Sequence, residues 1–422
     1  MNRITRIGIL VIQVLLLAAC SDDKNNGAED AGLDGGEGDA DTDTDGDSDT
    51  DTDGDSDTDT DTDADTDTDT DADTDTDTDT DTDSDADAGE DAGSPKGCIR
   101  YVDIGAPGEQ DGTSWSNAYL SLQEGIDDAA LSAAACPDGV QVLVAAGVYL
   151  PDTTGLIGSA TRTVSFELVE GVHVYGGFIG TEASLDERSL NELNVSVLSG
   201  DIGVVDDATD NSYSVVTGAD GATIDGFTIR GGTADGAGMY NDEVSPTVRN
   251  CKFVENNGSK GGGIYNKDSS PRIINCVFLS NEADDGAGMY NSGGSPIVTN
   301  CTFHNNTATD VGGGAIYNSD SSTQVANSIL FGNSPDEIHD TDTSLTITYS
   351  NIEGGHEGTG NIDSDPWFVG TGGHVAHWSP CVDSGSSDAL PLDSTDIDGD
   401  GDTTETFPFD LDGNNRIIQT QV

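Results

Sequence analysis

A unit of 25 residues recurs in phase through the middle of the chain, and a period of that length admits few folds. Gly236-Ala-Gly-Met-Tyr-Asn241 leads to Ser245-Pro246 and Asn250-Cys251-Lys-Phe253. The pattern returns as Gly261 to Asn266, Ser270-Pro271 and Asn275-Cys276-Val-Phe278, and again as Gly286 to Asn291, Ser295-Pro296 and Asn300-Cys301-Thr-Phe303. A fourth unit, from Gly313 to Asn318 and on to Asn327, Ser328 and Leu330, is longer by two residues, and Thr223 to Ile229 fits as an earlier half-unit. Apolar residues alternate over short runs, as Cys251 and Phe253 do around Lys252, and a period of two means strand. Short strands at a fixed repeat, with Gly, Ser-Pro and Asn at the corners, are satisfied when each repeat winds into one coil stacked about 4.8 Å from the next. The expected fold is all-β, a single-stranded right-handed parallel β-helix. Met239, Ile264, Met289 and Ile316 form one expected interior ladder; Val248, Ile273, Val298 and Val325 a second; Phe253, Phe278, Phe303 and Leu330 a third. The absence of a leucine scaffold argues against a leucine-rich repeat, and the short period against a propeller.

An open first coil would expose apolar side chains and unpaired strand edges. Residues 115 to 135, with Trp115, Ala118, Leu120, Leu122, Ile126, Ala129, Ala130 and Leu131, predict an amphipathic capping helix ahead of a strand from Val140 to Val148. Residues 98–139 are thus expected to form an N-terminal cap and 140–360 the β-helix. The segment 361–422 is expected to close the other end, with Trp367, Phe368, Val375 and Trp378 as cover. Nine or ten coils would make a rod about 45 Å long.

The first 19 residues carry Arg3 and Arg6 before an apolar run, which predicts a secretory signal too short to span a bilayer as a helix. Leu17-Ala18-Ala19-Cys20 resembles the bacterial lipobox, which implies a lipid on Cys20; Ser21 and Asp22 then favour the outer membrane. Residues 20–97 predict a disordered tether. From Asp39 to Asp87 every odd position is Asp, alternating with Thr, Ser, Ala or Gly, so no core can form. Neighbouring carboxylates about 7 Å apart are incompletely screened and stiffen the chain. Residues 22–91 hold 33 acidic side chains against Lys24 alone, yet the whole chain carries −67, so the part expected to fold is acidic as well. Nucleic acid is not an expected partner.

Gly313-Gly-Ala-Ile316, its variants at 236, 261 and 286, and the Phe-x-x-Asn motifs ending at Asn256, Asn281 and Asn306 resemble polymorphic outer-membrane protein repeats. Tyr101-Val-Asp-Ile104, Val174-Tyr-Gly-Gly-Phe178, Leu198-Ser-Gly-Asp201, Asn361-Ile-Asp-Ser-Asp-Pro366 and Ser379-Pro-Cys-Val-Asp383 resemble bacterial β-helix repeat proteins of the choice-of-anchor type. These resemblances imply a cell-surface location and adhesion-like roles, with a membrane contact through the lipid and an extracellular polysaccharide or protein as ligand. They supply no catalytic set.

Cys251, Cys276 and Cys301 share one corner of successive coils, at a spacing that suits a ladder of thiols better than disulfides. Cys98 and Cys136 flank the capping segment and are the disulfide candidates. Asn250, Asn275, Asn300 and Asn327 predict a stacked amide ladder at a tight corner. Tyr240, Tyr265, Tyr290 and Tyr317 each follow an interior position and form an outward aromatic stripe, which either stacks on a ligand or stacks on itself. Asp396, Asp398, Asp400 and Asp402, with Glu405, follow the alternating opening of a calcium loop, although Phe407 stands where the closing Glu belongs; a solvated acidic loop is the competing reading. No enzyme activity is expected. The alternative is a polysaccharide lyase or glycosidase using Asp235, Asp284, Asp285 or Arg230, which read more simply as turn residues.

Overall fold

The computed structural model describes residues 97–151, 158–190, 194–341, 344–370, 372–392, 404 and 406. Cys20, the signal segment, the Asp-rich tether to residue 96 and the acidic set Asp396, Asp398, Asp400, Asp402 and Glu405 lie outside the described residues.

Among the described residues the chain winds into a parallel β-helix with three long faces: parallel sheets of nine, eight and seven strands. Within the repeats, sequence neighbours belong to different sheets, and the strand one coil later is the hydrogen-bonded partner. Met239 pairs with Ile264, Ile264 with Met289, and Met289 with Ile316. Val248, Ile273, Val298 and Val325 align in the same way, as do Phe253, Phe278, Phe303 and Leu330. All twelve side chains are buried in one continuous core. The phenyl rings of Phe253, Phe278 and Phe303 stack with centroids 5.0 and 4.4 Å apart and nearly parallel planes.

Such tight stacking constrains the neighbouring backbone. A Cβ on Gly263 would lie 2.4 Å from the carbonyl oxygen of Gly288 and 2.7 Å from the Phe278 ring, so only glycine fits there. The corner after four successive strands of the nine-stranded sheet is made by Asn250, Asn275, Asn300 and Asn327, at φ between 51° and 58°. Asparagine tolerates this left-handed conformation better than most side chains.

Two further asparagine ladders run inside the solenoid. Asn241 donates to Asn266 and Asn266 to Asn291, each at 2.8 Å. Asn256, Asn281, Asn306 and Asn333 form the second: each amide nitrogen donates to the next amide oxygen at 2.8–3.0 Å and to a strand carbonyl of the coil before. Each of those oxygens also accepts a backbone N–H, so the buried polar groups at this corner are satisfied by their own repeats.

The ends depart from the sequence expectations. Ile99–Val102 is already the first strand of the nine-stranded sheet and pairs with Val140–Ala145, so the solenoid begins within the segment expected to be a cap. The capping helix α1 spans only Leu122–Ser132. Tyr119 is held as a strand partner of Tyr101 and Asp103, and the Ser121 hydroxyl accepts from the Glu124 N–H to start the helix. Leu122, Ile126 and Ala129 face the core, whereas Leu131, 85% exposed, does not. Trp115 sits in a separate short 3-10 turn, its indole N–H on the carbonyl of Glu182 at 2.7 Å. The strand expected over 140–148 bends at Ala146, because the chain turns from one face to the next: Val140–Ala145 and Gly147–Tyr149 belong to different sheets.

At the other end, residues 353–362 cover the last coil: Tyr349 and Ile352 donate to Thr359 and Ile362, and the Asn361 amide donates to the carbonyl of Ile347. The chain then folds back along the flank. Phe368–Val369 and His374–Val375 form an antiparallel pair whose Phe368 ring lies 4.3 Å from His304, and Gly373 lies beside Val277 and Thr302. Trp367 and Trp378, expected as cover, are largely exposed. The returning pair thus lies against His304, Val277 and Thr302, earlier in the rod.

Candidate functional site

The seven-stranded sheet carries the tyrosines on its outer face. Tyr240, Tyr265, Tyr290 and Tyr317 follow one another in register, and His339 takes the next rung. Ring centroids are 5.4, 5.1, 4.6 and 4.8 Å apart along this five-ring column. Tyr290, Tyr317 and His339 stack nearly face to face, at 9° and 22°, whereas Tyr240 and Tyr265 are tilted at 49° and Tyr265 meets Tyr290 edge-on at 86°. Tyr265 and Tyr290 are only 8% and 7% exposed. The column therefore packs largely on itself, with Tyr240 and Tyr317 more exposed than the two rings between them.

Charges border the column. On one side Lys267 meets Asp242 at 2.9 Å, and the Tyr240 hydroxyl donates to Asp242 at 3.1 Å. The hydrogen bond from Lys267 holds the Asp242 carboxyl below its usual range, and the same bond raises the Lys267 ammonium. On the other side the Lys260 ammonium lies 5.1 Å from the Tyr290 ring centre, within cation–π range. Burial, then the Asp242 carboxylate, pushes the Tyr240 phenol up to about 12. Burial, then the adjoining tyrosines and Asp285, does the same for Tyr290. These hydroxyls stay protonated across the physiological range and act as neutral donors and acceptors, one per rung.

Asp235, Asp284 and Asp285 gather around Ser259, whose hydroxyl donates to Asp235 and whose carbonyl accepts the backbone N–H groups of Asp284 and Asp285. The Asp284 carboxylate accepts from Thr309, and that of Asp285 from the Val311 N–H. Arg230 is exposed at the end of a strand in a different sheet. Among the described residues no ion pair links these four, and no group of three or more His, Cys, Asp and Glu is placed to hold a metal.

Cys98 and Cys136 are joined by a disulfide with Cα atoms 5.8 Å apart, tying the first strand to the end of the capping segment. Cys251, Cys276 and Cys301 are buried free thiols. Each thiol lies 3.1–3.4 Å from the carbonyl two residues before it, and the Cys301 N–H meets Ser328 where the next thiol would stand. Burial, then its two neighbours, raises the Cys276 thiol well above its usual range. The corner asparagines make a shorter ladder than the spacing predicts. Asn275 donates to Asn250 and Asn250 to Asp225, but Asn327 turns away to the carbonyl of Ser386. Asn327 also lines a cleft of about 440 Å³, with Asn300, Tyr349, Asn351, Cys381 and Asp383.

Two buried charged groups escaped sequence reasoning. Asp225, fully buried, receives Arg188 at 2.9 Å and Arg249 from the opposite side. Glu337, 7% exposed, ends the interior ladder by accepting from the backbone and side chain of Asn333. The signal for Glu337 was present: the Phe-x-x-Asn series reaches its last rung at Asn333, and a terminal amide needs an acceptor. Burial raises the Glu337 carboxyl to about 7, against the hydrogen bonds from Asn333 and with help from Glu353. A carboxyl whose folded pKa lies above its ordinary 4.5 contributes stability that is complete below about pH 4.5 and is lost as pH rises through about 7. The loss is bounded by about 3 kcal/mol. Urea unfolding of the parent and Glu337→Gln at pH 4.5, 6 and 8 should show the parent losing stability relative to the variant as pH rises. Parallel pH profiles would refute a protonated Glu337.

Residues 205–358 match a family described as a right-handed β-helix region. No curated protein matches the chain. Among solved structures, the chain is similar to the pectate lyase Pel9A at 14% identity, over 76% of this chain and 90% of that one, with a TM-score of 0.38. It is also similar to the pectin methylesterase PemA from Erwinia chrysanthemi, at 14% identity over 60% of this chain and 70% of that one, TM-score 0.29. A pectin methylesterase from carrot shares 12% identity over 74% of this chain and 97% of that one, TM-score 0.34. Likeness at this level says nothing about activity.

Proposed function

We propose that this chain is a lipid-anchored surface protein of the outer membrane that binds an extended, uncharged polysaccharide along its tyrosine column. The observation that carries the reading is the in-register column of four tyrosines and His339 on one outer face, one ring per rung. A linear polymer with a short repeat can meet such a column with the same contact at each step, and hydroxyl groups are matched by phenols that both donate and accept. The chain's net charge of −67 disfavours a polyanionic ligand. The signal segment ending at Cys20 supports the anchor, and the acidic tether, with a reach of at most about 3.3–3.6 Å per residue, supports display away from the lipid.

Intact cells displaying the chain should retain a labelled neutral glucan, and Cys20→Ser should move that capacity into the medium. Changing Tyr265, Tyr290 and Tyr317 together to Phe preserves the stack and removes three hydroxyls, each worth about 0.5–1.5 kcal/mol net. Retention should fall by tenfold or more with the thermal midpoint unchanged. Full retention by the triple variant would refute the proposed contact. New reducing or unsaturated ends in the recovered glycan would instead favour the enzyme reading.

A further inference from the structure

The segment from Asp201 to Ser212 gathers oxygens that the rest of the fold leaves without partners. One carboxylate oxygen of Asp201, one of Asp210, the amide oxygen of Asn211 and the hydroxyl of Ser212 are buried and, among the described residues, make no hydrogen bond. Asn211 is 7% exposed and Ser212 is fully buried. The loop closes on itself, since the Ser212 N–H donates to the carbonyl of Gly200 at 2.8 Å.

The other polar atoms of these side chains are already committed, which fixes their orientation. The second carboxylate oxygen of Asp201 accepts from the Asp206 N–H at 3.1 Å, and that of Asp210 from the Val204 N–H at 2.8 Å. The Asn211 amide nitrogen donates to Gly231 at 2.8 Å, which leaves its oxygen at the opposite end of the amide. A Cβ on Gly231 would lie 3.4 Å from the Asp201 nitrogen and 3.5 Å from the Asn211 amide nitrogen, so the two ends of the loop meet around this glycine. The nearby guanidinium of Arg162 is spent on the carbonyl of Asn211 and the hydroxyl of Thr233. It donates to none of the four oxygens.

Asp201 and Asp210 are themselves half-buried, but each holds one carboxylate oxygen out of solvent without a partner, and a shielded carboxylate oxygen is costly unless a positive charge compensates it. The geometry points to a calcium site formed by Asp201, Asp210, Asn211 and Ser212. The donors are all hard oxygens in an irregular loop, which suits the six to eight ligands and loose geometry of calcium. With neither sulfur nor nitrogen in the set, zinc is a poor match. Two carboxylates balance the divalent charge, and backbone carbonyls and water complete the shell. The site does not depend on the proposed ligand.

Hydrogen exchange of the full chain, followed by mass spectrometry with calcium or with chelator, tests the site directly. Peptides covering 198–213 should exchange at least tenfold more slowly in calcium, with half-saturation near about 0.1–1 mM. Asp210→Asn should remove the protection, and Asp398→Asn with Asp400→Asn should keep it. No protection of 198–213 in the parent chain overturns the site, whatever the variants do. Equal protection by magnesium, or protection that survives Asp210→Asn, overturns it too.

Discussion

Asp225→Asn is expected to lower the unfolding free energy by about 3–5 kcal/mol, measured as a shift in the urea midpoint at pH 7. Asp225 is fully buried, and its carboxylate accepts from Arg188, Arg249 and the Asn250 amide. Both guanidiniums also lie over the Tyr175 ring, at 5.7 and 5.8 Å. Removing the one negative charge leaves two cations close together in a site that water hardly reaches, and breaking a buried ion cluster costs more than the cluster contributes. The variant also weakens the acceptor at the foot of the Asn275–Asn250 ladder. Burial by itself would raise the Asp225 carboxyl, but the two arginines outweigh it and hold it below 3.8. A depressed folded pKa contributes stability above the unfolded value that is lost as pH falls through the folded one, so the gap between parent and variant should narrow in acid. A cost under about 1 kcal/mol would mean that the cluster is solvated after all.

The second large effect concerns the core. Phe278 lies between Phe253 and Phe303, and all three are fully buried. Phe278→Ala opens a cavity in the middle of the stack that neighbouring coils cannot fill, since their height is set by the hydrogen bonds between strands. The expected cost is about 3–5 kcal/mol. Phe278→Leu should cost less than about 1.5 kcal/mol, because Leu330 already occupies the same position on the fourth coil. Equal losses for the two variants would show that the position is not a close-packed rung.

In a solenoid each coil touches only its neighbours, so the periodic part of the structure is written into the periodic part of the sequence. Repeats at 236, 261, 286 and 313 were enough to align Met239 with Ile264 and Phe253 with Phe278, and to put Tyr240, Tyr265, Tyr290 and Tyr317 on one outward line. The same spacing did not reveal how those rings meet. The rings turned out to meet in different ways, edge to face between Tyr265 and Tyr290 and face to face between Tyr290 and Tyr317. The sequence placed the four tyrosines on one outward line and left open whether they stack on a ligand or on each other; the structure shows the contacts among the rings.

What the amino-acid order determined by itself is the wound stack, its three interior ladders and the residues that share each face, because alternation and a fixed period are local signals repeated many times. What only the tertiary structure decided is everything that occurs once. The return of Phe368 to His304, the meeting of Arg188 with Asp225, and the partnerless oxygens from Asp201 to Ser212 join residues with no common period. Such contacts are set by which surfaces remain uncovered after the coils have stacked, a property of the assembled rod and of no single repeat.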